Sequence, residues 1–75
     1  MTPQEQLEHL KVLLSEHTQE IENKITEARD SMEKETDMEV KRMYVEYIKG
    51  MKQLQHNVTM QYANAHAAIK EAYGI

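Results

Sequence analysis

The sequence predicts an all-α protein: two long antiparallel helices in a helical hairpin, which dimerises into a four-helix bundle. Three observations lead there. The 75-residue chain has one proline, Pro3, and two glycines, Gly50 and Gly74, so almost nothing interrupts a helix between its ends. Apolar residues recur at steps of three and four in both halves and never alternate with period two over a useful length. Residues 1–39 carry 4 basic and 11 acidic side chains, a net −7, whereas residues 40–75 carry 5 basic and 2 acidic, a net +3. Folding the chain back on itself lays these unlike halves side by side.

The first helix is expected over about residues 2–33. Thr2-Pro3-Gln4-Glu5 sets a capping Thr before a first-turn Pro, with a Glu three residues after the Thr. Leu7, Leu10, Leu14, His17, Ile21, Ile25, Ala28 and Met32 then form one apolar row interrupted by a single histidine. The row fades before Val40, and Thr36-Asp37-Met38-Glu39 has the form of a second capping box, so the reversal is placed at about 33–37. One unbroken helix is the alternative. The second helix is expected over about 37–73, with Val40, Met43, Tyr47, Met51, Leu54, Val58, Tyr62, Ala65, Ile69 and Ala72 in register and Gly74 as its terminator. Residues 1–75 thus read as a single helical-hairpin domain.

Dimerisation follows from a surplus of apolar surface. Tyr44, Val45, Ile48, Met60, Ala68 and Tyr73 lie off the main row of helix 2, and a helix that is apolar over so wide an arc needs more than one neighbour. A chain of this size with no staple commonly finds its missing core by oligomerising. The expected subunit interface is Tyr44, Tyr47, Ile48, Met51, Leu54, Val58 and Tyr62, with Tyr47 and Tyr62 in the core and Tyr44 at the contact. Gly50, costly inside a helix, signals close approach of another helix or else a kink. Six methionines suit irregular core gaps or a plastic binding surface.

Several chemistries are excluded. There is no cysteine, hence no disulfide framework and no thiolate zinc site, and no long apolar run to cross a membrane; a cytoplasmic setting is expected. The Glu-x-x-His pairs of di-iron bundles are missing, since Gln6, Leu14, Gln53 and Ala63 stand three residues before the four histidines. HExxH, phosphate-loop and nucleophile-elbow motifs are likewise missing, so the sequence offers no catalytic residue, no cofactor site and no convincing metal site. With the turn near residue 35, positions summing to about 71–73 face each other, which would bring His17 beside Leu54 or His56 as a register-setting contact or a weak metal or pH-sensitive pair. The sequon Asn57-Val58-Thr59 falls inside a helix, the wrong setting for a glycan acceptor.

What remains is a small non-enzymatic protein–protein interaction module, acting as a homodimeric inhibitor, adaptor or antagonist of a larger protein. By analogy, stoichiometric antagonists of this size and acidity are encoded by phages and mobile elements to block host or defence proteins. Glu33, Glu35, Asp37 and Glu39 are the expected contact to a basic partner, because no apolar row competes to explain that segment. Two other readings are carried: a structural assembly subunit, and a nucleic-acid-associated regulator using Lys41, Arg42, Lys49 and Lys52. The basic cluster is short and interrupted by Glu46, so nucleic acid ranks below a protein partner.

Overall fold

The structure, a computed structural model, describes residues 2–75. Two helices fill it: α1, Pro3–Lys34, and α2, Met38–Tyr73, lying antiparallel against each other. Thr2 starts α1 as its side-chain oxygen accepts from the Glu5 N–H at 3.1 Å, and Pro3 occupies the first turn, where its missing N–H is not needed. Within the helices Thr18, Thr26 and Thr59 turn their hydroxyls back onto the carbonyls of Leu14, Glu22 and Gln55, which satisfies a β-branched polar side chain without leaving the helix. Gly74 closes α2 in the left-handed region at φ 67°, with the Ile75 N–H donating back to the Lys70 carbonyl at 3.0 Å.

The reversal takes only Glu35, Thr36 and Asp37, and it uses no glycine. Glu35 and Asp37 are both extended (ψ 135° and 120°), and two carboxylates hold the bend. One Glu35 Oε1 accepts from both the Thr36 and Asp37 N–H groups at 3.0 Å, while Asp37 Oδ1 accepts from the Glu39 N–H at 2.9 Å. The cap of α2 is therefore Asp37 and not Thr36: the Thr36 N–H is already taken by Glu35, and the box expected from Thr36 to Glu39 does not form.

Full burial is confined to the middle of the hairpin. Ile21, Ile25 and Ala28 of α1 and Ile48 and Val58 of α2 are buried, Ile25 at 1% exposure, with Leu14, Met32, Tyr44, Met51 and Tyr62 packed around them. The result is a rod of 55 × 15 × 11 Å whose radius of gyration is 17.1 Å, where a compact chain of this length would have about 11 Å. Neither helix is both long and apolar enough to cross a membrane.

Two expectations about register are corrected. Contacts join Glu22 to Gln55 and His17 to Tyr62, pairs summing to 77 and 79, so Tyr62 and not His56 lies against His17. Helical side chains lean toward their own N-terminus, and in antiparallel neighbours the two leans are opposed. Tips that meet therefore belong to residues several positions beyond those whose backbones are level. The tyrosines also exchange places: Tyr44 packs on the core, whereas Tyr47 is 44% exposed.

Candidate interaction surface

Helix α2 carries two apolar rows, each stepping by three and four. The row of Tyr44, Ile48, Met51, Val58 and Tyr62 packs on α1. The second, Val40, Met43, Tyr47, Gly50 and Leu54, lies roughly 90° round the helix from the first at its centre. Beyond the half-buried Val40 it faces solvent: Met43 is 71%, Tyr47 44% and Leu54 43% exposed. Near the turn Val40, Met43, Tyr44 and Tyr47 line a shallow groove between the two rows. The residues expected at the subunit interface thus divide, with Ile48 and Val58 buried in the hairpin's own core, Tyr44, Met51 and Tyr62 packed against it, and Tyr47 and Leu54 left on the uncovered row. Val40, Met43 and Gly50 belong with that row, and their heptad spacing with Tyr47 and Leu54 was the available signal.

Gly50 sits on the uncovered row in open space. A Cβ built there meets nothing within 4 Å, and α2 runs through it unbroken, so neither α1 nor a break in the helix accounts for the glycine.

The charged groups occupy other faces. Lys41, Arg42, Lys49 and Lys52 lie on the opposite flank of α2, where Lys41, Arg42 and Val45 line a second shallow groove with Met32, Glu33 and Met38. Arg42 and Lys49 each have a carboxylate one turn back, Glu39 at 3.9 Å and Glu46 at 3.6 Å, on exposed side chains. Pairs this exposed add little stability but dilute the positive field that nucleic acid would meet. Among the described residues no ion pair joins α1 to α2; polar contact between the arms comes from the Gln55 amide, which donates to Glu22 Oε2 at 3.3 Å, and from the Tyr62 hydroxyl, 3.5 Å from His17 Nδ1.

The four acidic residues expected to meet a partner have unequal freedom. Glu35 and Asp37 spend their carboxylates on the bend, and Glu39 leans on Arg42. Glu33 is exposed at the mouth of the basic-flank groove. His17, also exposed, meets the Tyr62 ring edge-on with centroids 6.2 Å apart, its Nδ1 3.5 Å from the tyrosine hydroxyl. Among the described residues no group of three or more His, Cys, Asp or Glu side chains is arranged around a common metal position.

No family model, curated protein or solved structure matches the chain.

Proposed function

We propose that the chain is a non-enzymatic protein–protein interaction module that works as a homodimer, two hairpins stacked into a four-helix bundle, and binds a larger protein stoichiometrically as an inhibitor, adaptor or antagonist. The observation that best supports the reading is the apolar row of α2 left facing solvent on a rod whose own core, among the described residues, holds five buried side chains. A two-helix layer covers one row per helix; a second hairpin supplies the cover for the other. The hairpin offers shallow grooves rather than a deep cleft, which suits recognition of a surface better than processing of a substrate.

The partner contact is assigned to the acidic arm, α1 with its net negative charge, ending at Glu33 beside the turn. Complementary charge steers encounter and sets specificity, so the partner would present a basic face. Light scattering after gel filtration is expected to give twice the 8.8 kDa chain mass over a wide concentration range; mass that keeps growing would favour the assembly-subunit reading. Glu33→Lys is the informative substitution for capture of a basic partner from the native host, because changing Glu35 or Asp37 also removes the hydrogen bonds of the bend. The variant should keep its helicity and lose capture by tenfold or more. Unchanged capture would take the partner contact away from this end of the rod, and retention on DNA that falls steeply with salt would favour the nucleic-acid reading.

A further inference from the structure

We infer that the uncovered row of α2 docks on the same row of a second copy running antiparallel, with Tyr47 of each chain seated over Gly50 of the other. This rests on the dimer reading above and adds to it the face, the direction and the residue pair at the centre.

The occupant follows from area, spacing and charge. The chain exposes 5707 Å², whereas a folded monomer of its mass exposes roughly 4800 Å². The excess, roughly 900 Å², is about what one partner contributes to a stable interface of standard size. The row itself is a seam two heptads long with no charge on it, Val40, Met43, Tyr47, Gly50 and Leu54 stepping by three and four in strict alternation. Lys41, Arg42, Lys49 and Lys52 each lie more than about 100° round the helix from it, so closing the seam buries no cation.

Direction follows from where the large and small residues fall. In an antiparallel pair centred between Tyr47 and Gly50, positions summing to 97 are level. Tyr47 then meets Gly50 and Met43 meets Leu54, while Val40 meets Asn57, where the apolar row ends. Each tyrosine fills the space a missing side chain leaves on the other helix, twice over by the two-fold. A parallel pair would set Tyr47 against Tyr47 and Gly50 against Gly50, crowding one layer and emptying the next. At the edge of the seam the nearest residue of the same flank to Glu46 is Gln53, two positions off level, and not another carboxylate. The pairing also gives Gly50 a purpose that nothing within its own chain supplies, since its Cβ direction is open and glycine is disfavoured against alanine inside a helix.

Because the chain has no cysteine, introduced pairs report the geometry directly. Met43→Cys and Leu54→Cys proteins, mixed and oxidised, are expected to give a disulfide-linked heterodimer, and each alone essentially none. In the antiparallel pair two copies of position 43 stand roughly 16 Å apart along the axis, far beyond the reach of a disulfide. Self-linking of the Met43→Cys protein would mean a parallel seam and overturn the inference. Independently, Gly50→Leu should raise the dimer dissociation constant at least tenfold by sedimentation equilibrium while the helicity of dilute protein stays level or rises. A dimer by mass that neither cross-links in the mixture nor weakens with Gly50→Leu uses another face: the inference then fails and the dimer reading stands. A monomer at every concentration overturns both.

Discussion

Ile25→Ala is expected to destabilise the protein by about 3–4 kcal/mol in urea unfolding, seen as a lower midpoint. Among the described residues Ile25 is the one large side chain sealed from solvent, at 1% exposure, and truncation leaves a cavity between two helices with few other contacts to collapse into it. Total stability at this length is about 4–11 kcal/mol, so the loss is about a quarter of it or more. Val12→Ala serves as the comparison, because Val12 is 47% exposed on α1 and its truncation should stay within about 0.5 kcal/mol. Equal effects of the two would mean that α1 does not meet α2 through the row containing Ile25.

Converting the bend to alanine should change the molecule's shape and not merely its stability. Glu35, Thr36 and Asp37 bring about the reversal through three side-chain hydrogen bonds to backbone N–H groups, without a glycine or a proline. The triple substitution Glu35→Ala, Thr36→Ala, Asp37→Ala removes those bonds and installs the best helix-forming residue at each position. The expected product is one helix running from α1 into α2, on the order of 105 Å long. Two such helices would recover every α1–α2 contact by exchanging arms, a domain swap. Small-angle scattering should then report a maximum dimension approaching double the 55 Å of the hairpin. An unchanged dimension would show that packing, and not the carboxylates at the bend, dictates the reversal.

That experiment also bears on what the sequence can reveal. Helix identity was legible because Pro3, Gly74 and the three-four spacing act locally, and the stop after Lys34 was legible within a residue or two from the fading row and the Thr-Asp pair. Which of the two polar residues caps α2 was not, since Glu35 reaches forward to the Thr36 N–H and leaves Asp37 as the cap. On α2 the expected row ran between the two real ones. Tyr44 and Tyr47, or Met51 and Leu54, are equally good members of a three-four repeat, and the direction in which α2 leaves a three-residue bend decides which faces α1. The His17 partner was missed for a different reason: counting outward from a turn pairs backbones, whereas contact is made by tips that lean in opposite directions. For the uncovered row the heptad spacing was present in the sequence, but only the geometry separates it from the row that α1 already covers.

The confinement of burial to the middle of the rod implies an uneven clock for backbone exchange with solvent deuterium. Amides of α1 near Ile21–Ala28 and of α2 near Ile48–Val58 open only when the two arms part, so their exchange reports the global stability of the fold. Toward Thr2 and Tyr73 each turn is released by its own fraying, with no buried neighbour to hold it, and exchange there should run orders of magnitude faster. A second hairpin laid along residues 40–54 would slow the amides of that stretch without touching the far ends, and would thereby leave its footprint as a step in an otherwise smooth gradient.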